Sequence, residues 1–256
     1  MDLRLFGIPG LPMVEPGDDL VDLIVTALVE SGETLQQDDV LVVAQKVISK
    51  AEGRYRDLRD IEPTAEARAL GLEVDKDPRK VQAILDESNE VVRKRPGVLI
   101  VEHRLGFVQA NAGIDQSNIE ADDDNRCLLL PVDPDASAER IREQIKDRLG
   151  IEIGVIINDS IGRAWRMGSM GLAIGVAGFT ALEDYIGQTD IYGNELKVTQ
   201  VGAADELAAG ASLVMGQTTE RAPVVLVRGY HPVAPTNPEH QGVKPLIRPK
   251  DMDMFR

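Results

Sequence analysis

Apolar residues near the start of the chain recur at helical spacing. Leu20, Leu23, Ile24, Ala27 and Leu28 follow the acidic pair Asp18-Asp19, and Gly32 closes the run. This i, i+3, i+4, i+7, i+8 pattern predicts an amphipathic helix with an acidic start and a glycine stop. Val40 to Ala44 is apolar without a break and of strand length, which predicts a strand buried on both faces. The charged stretch 63–88 reads as helical, with Pro63 and Pro78 near two helix starts. Residues 97–102, 107–111 and 128–130 read as strands, and Ser137 to Leu149 as a helix whose Ile141, Ile145 and Leu149 share one face. Ile153 to Ile157 predicts a buried strand running into Asn158-Asp159-Ser160. The segment from Gly168 to Gly178 is small and apolar, which predicts closely packed backbone and offers a surface for a second copy of the chain. Ala203 to Met215 reads as a helix, Val224 to Val227 as a strand, and the proline-rich tail beyond His231 as a wrap over the surface.

Helix and strand signals thus mix without the regular βαβ alternation of a dinucleotide-binding sheet, so the fold class is α+β. A chain of 256 residues accommodates one large domain, spanning 1–256, or two lobes sharing a core. No repeat is visible. No apolar stretch approaches the ~18 residues of a membrane span, and the N-terminus has no basic-then-apolar leader, so a cytoplasmic protein is expected. The single cysteine, Cys127, excludes an internal disulfide, and the run Cys-Leu-Leu-Leu predicts a buried strand residue.

Charge narrows the functional classes. Acidic residues outnumber basic ones by 43 to 28, a net charge of −15, which repels nucleic acid and anionic membranes. A phosphorylated substrate would be repelled too, so a site for one must be built from metal ions or clustered Lys and Arg. Four segments join glycine to polar and acidic residues at strand ends, where sites are commonly built: 10–19, 44–53, 111–118 and 158–166. Asp115 and Asp159 are each expected to follow a strand through a turn. There they are either turn-formers or ligands of a hard cation such as magnesium or manganese, with Ser160 adding a hydroxyl oxygen. Arg163 and Arg166 are either a solvated helix face or a grip on phosphate or carboxylate. Lys46 and Lys50 would share a face if helical and could neutralise phosphate. The P-loop and G-x-G-x-x-G signatures are missing, the three histidines have no zinc spacing, and no hydrolase signature occurs. Trp165 and Tyr185 read as core or rim residues.

The strings Gly-Leu-Pro-Met-Val-Glu-Pro-Gly-Asp-Asp-Leu, Val-Ile-Ser-Lys-Ala-Glu-Gly, Asn-Ala-Gly-Ile-Asp-Gln-Ser-Asn, Asp-Ser-Ile-Gly-Arg-Ala-Trp-Arg and Leu-Val-Met-Gly-Gln occur in this order. Together, from about Phe6 to Gly229, they resemble the F420-0:gamma-glutamyl ligase family. The resemblance implies a two-lobed α+β fold without a P-loop, forming an intertwined homodimer. It implies GTP-dependent joining of L-glutamate to coenzyme F420-0 through an acyl phosphate, with further gamma-linked additions. Magnesium or manganese, and potassium, are the implied ions. Carried over by position, Gly10, Leu11, Pro12, Met13, Gln45, Lys46, Lys50 and Asn118 would meet the nucleotide. The stretch Met215, Gly216, Gln217, Thr218, Thr219, Glu220, Arg221 and Ala222 would wrap it. Asp115 and Asp159 would hold one metal, Ser160 and Gln217 a second, and Arg163 and Arg166 the substrate's phosphate or carboxylate. Some relatives carry small hydroxyl residues in place of Gln45-Lys46 and an acid in place of Gln217. No C-terminal flavin-binding domain is expected. The rival expectations are an amide ligase for another carboxylate acceptor and a non-catalytic nucleotide-binding regulatory dimer.

Overall fold

The computed structural model describes residues 2–119, 125–232 and 241–255. In chain order the elements are β1 (Arg4–Gly7), α1 (Leu20–Glu30), β2 (Val40–Ala44), α2 (Gln45–Ala51), β3 (Tyr55–Asp57), α3 (Ala65–Val74), α4 (Pro78–Asp86), β4 (Ser88–Arg95), β5 (Val98–His103) and β6 (Val108–Ala110). They continue as β7 (Arg126–Leu128), α5 (Pro134–Leu149), β8 (Gly154–Gly162), β9 (Ser169–Ala177), β10 (Glu183–Asp184), β11 (Gln200–Val201), α6 (Ala203–Met215) and β12 (Val224–Arg228). Helix starts are written locally. The side chains of Asp19, Thr64, Asp77 and Asp133 each accept an amide of the following first turn. Proline stands just after Asp77 and Asp133, where a missing N–H costs nothing.

Five strands form the central sheet in the order β1-β12-β2-β8-β9. Only β2 and β8 pair in parallel; the other neighbours are antiparallel. β2, the first half of β8 and most of β12 read as unbroken apolar runs because both faces are covered. Leu41, Val43, Val155, Ile157, Val224 and Leu226 pack with α1 and α5, while Val40, Val42, Ile156, Val225 and Val227 pack with α6. The period of two in each strand therefore serves two different cores.

The long connection from β2 to β8 carries a second cluster of its own. Leu58, Leu70, Val74, Val81, Ile84, Leu99, Val101, Ile114, Cys127 and Leu129 are buried together between α3, α4 and the sheet β4-β5-β6. Cys127 is fully buried in β7, as its apolar setting predicted, and burial pushes its thiol up. The strand expected at 128–130 lies two residues earlier, because β7 pairs with β3 through Arg126, Cys127 and Leu128.

The small residues of 168–178 are packed closely within the chain. Most of the segment is β9, packed beneath α5 and α6. A Cβ on Gly175 would lie 2.5 Å from the Pro134 carbonyl group at the start of α5. A Cβ on Gly171 would lie 2.5 Å from Asn158 Oδ1 and 2.7 Å from Ser212 Oγ, so only glycine lets α6 sit this close. Between β9 and α6 an excursion built on the short pair β10–β11 leaves Ile191, Tyr192 and Val198 exposed. The part of the tail within 241–255 does wrap the body. Val243 is buried, Ile247 packs on Gly106, and Lys250 bridges Glu90 (3.2 Å) and Glu102 (2.9 Å). The prolines between 233 and 240 lie outside the described residues. Among the described residues no helix is long and apolar enough to cross a membrane.

Candidate active site

All the chemistry-bearing segments meet at one edge of the central sheet. Gly7 at the end of β1 faces Val225 at the start of β12, and β12 faces the end of β2. Ala44, the last residue of β2, pairs with Asn158 in β8. Two backbone bonds draw in the loops: Ile8 N donates to the Val224 carbonyl (2.9 Å) and Ala44 N to that of Pro223 (2.8 Å). The segment 8–13, the start of α2, the segment before β12 and the exit of β8 therefore share this edge. Sites form where the carboxyl ends of parallel strands leave loops free.

Asp159 is inside β8 rather than beyond it. The strand continues through Gly162, because residues 158–162 keep pairing with β9 beyond the point where apolar character stops. The expected turn is therefore replaced by five more residue pairs of extended backbone. Alternation points Asn158 toward α6, where its amide meets Met215 Sδ at 3.4 Å. Asp159 consequently projects to the other face.

Asp115 reaches that face from the second cluster. After β6 the chain turns through Asn111, Ala112 and Gly113, with φ of 54°, 54° and 67°. Three successive left-handed residues, one a buried alanine, are costly and reverse the chain sharply. Asp115 is then fixed by two backbone bonds to Leu128, of 3.0 and 2.9 Å. Its carboxylate meets Lys46 Nζ at 3.1 Å, and the Ser117 hydroxyl donates to its other oxygen at 3.1 Å.

Asp159 is nearly enclosed, and its carboxyl is pushed up to about 7. Burial is the main cause and the charge of Asp115 adds to it; the Ser160 amide (2.8 Å) and Lys46 act in the opposite direction. With its amide turned to satisfy both ends, Gln109 donates to Asp159 Oδ2 and accepts from Gly113 N, each at 3.3 Å. On the next residue, the Ser160 hydroxyl and the Gln217 side chain exchange bonds of 3.1 and 3.0 Å.

A buried carboxylate pushed up by a neighbouring carboxylate is a pair short of positive charge. Asp115 and Asp159 with the neutral oxygens of Ser160 and Gln217 make a hard-oxygen donor set, suited to a divalent cation that shares its coordination with phosphate. Among the described residues there is no cluster of three or more His, Cys, Asp and Glu, so a closed, all-protein metal cage is not what this edge resembles.

Residues 10–229 match the F420-0:Gamma-glutamyl ligase family. The chain belongs to that family. A protein of Methanothermobacter thermautotrophicus named coenzyme F420:L-glutamate ligase is 46% identical over 256 residues, all of both chains. Proteins of the same name from Methanopyrus kandleri and Archaeoglobus fulgidus are 42% and 44% identical, covering 99% and 90% of this chain and 98% and 89% of their own.

Most residues implied by the family resemblance do gather here. Gly10, Pro12 and Met13 are exposed on the loop after β1, and Leu11 packs partly on the core. Gln45 is buried and donates to Ser49 Oγ at 2.8 Å, so its side chain braces α2. Lys50 lies one turn beyond Lys46 in α2 and is buried. Asn118 is exposed, with φ of 55°. Met215 ends α6 and Gly216 caps it. In the following loop the Glu220 carboxylate accepts from Thr218 N at 2.8 Å, while Thr219 and Arg221 are exposed and Ala222 lies against Gly7.

Arg163 and Arg166 are not drawn to the carboxylates. They occupy the exposed turn between β8 and β9, not a helix, and Arg163 donates to the Gly168 carbonyl at 3.0 Å. Trp165 on the same turn is neither core nor rim; it is 86% exposed, with the ring of Phe255 6.0 Å away. Gln109 was missed as a site residue. Its signal was present, since β6 places a polar residue inward between exposed Val108 and Ala110, the reverse of a structural strand.

Proposed function

We propose that this chain ligates L-glutamate to coenzyme F420-0 at the expense of GTP, and adds further glutamates through gamma linkages. The observation that carries the proposal is the carboxylate pair Asp115–Asp159 set beside Ser160–Gln217 at one sheet edge, in a chain of this family. A nucleotide bound there would lie among Gly10–Met13, the first turns of α2, Asn118 and the loop 215–222. Asp115 and Asp159 would hold one magnesium or manganese ion, and Ser160 and Gln217 would contribute to a second. Bound there, such ions supply charge neutralisation for phosphate oxygens, which a protein of net charge −15 needs. Potassium completes the proposed ion set.

In this mechanism the coenzyme's terminal carboxylate takes the γ-phosphate of GTP to give an acyl phosphate. The glutamate amine then displaces phosphate and loses its proton as the amide forms. The protein's tasks are to hold the two anions in line and to exclude water. Lys46 and Lys50 bring positive charge to the phosphates, while Arg163 and Arg166 are assigned the coenzyme's phosphate or carboxylate across the exposed turn. The proposal requires no side-chain nucleophile.

We further propose a two-lobed homodimer. Its support is the exposed Ile191, Tyr192 and Val198 on the excursion from the body, and the exposed Trp165 and Met167 on the turn between β8 and β9. Exposed apolar residues grouped in this way are characteristic of interaction surfaces.

The deciding experiment is mass spectrometry after incubation with F420-0, GTP, L-glutamate and manganese. A product heavier by one or more glutamyl units, with GDP released in step, is expected. GDP release without glutamyl transfer would point to another acceptor, and saturable GTP binding without GDP release to a regulatory dimer.

A further inference from the structure

Lys46 is tied to the carboxylate pair by its own geometry. Its ammonium lies 3.1 Å from Asp115 Oδ2 and 2.9 Å from Ser117 Oγ. The Ser117 hydroxyl in turn donates to Asp115 Oδ1 at 3.1 Å. Both oxygens of Asp115 are therefore engaged by the chain's own donors, one of them a full positive charge. Asp159 also feels that charge, which partly offsets the effect of Asp115 on it.

Two carboxylates that act on each other's charge are stabilised by a counter-ion. Lys46 is well built to be an exchangeable one. It sits in the first turn of α2 with its side chain 28% exposed, at the end of a flexible four-carbon stem. An ammonium is a compact point charge that makes single contacts and rotates away easily; a guanidinium would clamp a carboxylate with two.

We propose that Lys46 is the exchangeable counter-ion of the Asp115–Asp159 pair: it occupies the cation position at Asp115 in the absence of metal, and a divalent ion displaces it. This inference rests on the proposed metal role of Asp115 and Asp159. Displacement frees a positive charge at the mouth of the site, within a side chain's reach of any phosphate the metal recruits. One lysine would thus serve the two carboxylates and the anionic substrate in turn. The exchange also sets a threshold, because the metal must compete with a tethered cation before it binds.

The test is manganese binding by the full chain, freed of metal with a chelator and without nucleotide. Calorimetry compares wild type with Lys46→Met, which keeps the apolar stem, and Lys46→Arg. Lys46→Met is expected to bind manganese at least about threefold more tightly, the scale of a partly exposed ion pair that no longer competes. Lys46→Arg is expected to bind more weakly than wild type. A second readout uses wild type alone, so it does not depend on a variant folding. Reductive methylation of Lys46, followed by mass spectrometry, should rise when manganese is added. Equal or weaker manganese binding by Lys46→Met, or labelling unchanged by manganese, overturns the inference alone. If neither wild type nor Lys46→Met binds manganese, the metal reading of Asp115 and Asp159 falls, and the inference with it.

Discussion

At the residue scale, Asp159 shows how a site is held at the cost of stability. Its carboxyl is pushed up to about 7 by burial and by Asp115. An acid with a raised folded value is most comfortable when protonated. Its unfavourable contribution is absent well below pH 4, grows as pH rises from about 4 to about 7, and is complete above that. Asp159→Asn removes that charge. In metal-free protein it is expected to raise stability at pH 8 by about 2 kcal/mol or more, roughly 4–8 °C in Tm, and to have a clearly smaller effect at pH 5. Thermal melts in chelator at the two pH values test this. A variant that melts below wild type at pH 8 would mean that the carboxylate is compensated. The same variant is expected to lose ligation, since Asn keeps the shape without the charge that holds a divalent ion.

At the element scale, two contacts decide how the pieces meet. The first is the bed that β9 offers to α6. Gly171→Ala places a methyl against Asn158, Ser212 and the Ala208 carbonyl, so helix and strand must part. A loss of about 2 kcal/mol is expected, read as a lower urea midpoint at unchanged slope. An unchanged midpoint would show that α6 moves freely over the sheet. The second contact is Glu87, at the end of α4. It lies 3.2 Å from Arg54, 3.1 Å from Arg104 and 3.5 Å from His103, tying the second cluster to the chain leaving α2. Burial alone would raise this carboxyl, but His103, Arg104 and Arg54 together outweigh it and hold it below the usual range. A lowered folded value stabilises above the ordinary carboxyl range, and that stability is lost as pH falls through the folded value. Wild type should therefore lose stability below about pH 4.5 more steeply than Glu87→Gln. Parallel acid limbs for the two proteins would dismiss the contribution.

At the scale of the whole molecule, charge and surface govern behaviour. With −15 overall, GTP meets a repelling field before it meets its site. Like charges near 4 Å cost about 4 kcal/mol at an effective dielectric of 20. GTP affinity is therefore expected to fall at least about tenfold in chelator, the change that 1.4 kcal/mol produces. Equal affinities with and without manganese would place the phosphates elsewhere. The proposed homodimer gives a sedimentation mass near twice 27.9 kDa. Replacing both Ile191 and Val198 with Glu should halve it, because charge would enter the exposed apolar excursion. A wild-type mass near 27.9 kDa at micromolar concentration would remove the basis for this surface.

Much of this was legible along the chain because it depends on neighbours in sequence. The spacing of Leu20, Ile24, Ala27 and Leu28 determined α1, and the matching run Ala203 to Met215 is α6 residue for residue. The ordered strings around Asp115 and Asp159 were enough to establish the family. Tertiary structure decided the rest. Whether Asp159 ends a strand or sits within one depends on β9 continuing to pair with it across the hairpin, which the apolar pattern of β8 does not record. The glycines of 168–178 read as a place of close backbone packing, but only the fold showed that α5 and α6 lie against Gly175 and Gly171. Lys46 carried its charge openly, yet only folding set it against Asp115, a partner 69 residues away, as it set Gln109 against Asp159. Periodicity records which side of an element is buried. It holds no record of what lies on that side, because long-range pairing is chosen by the packing of the whole chain.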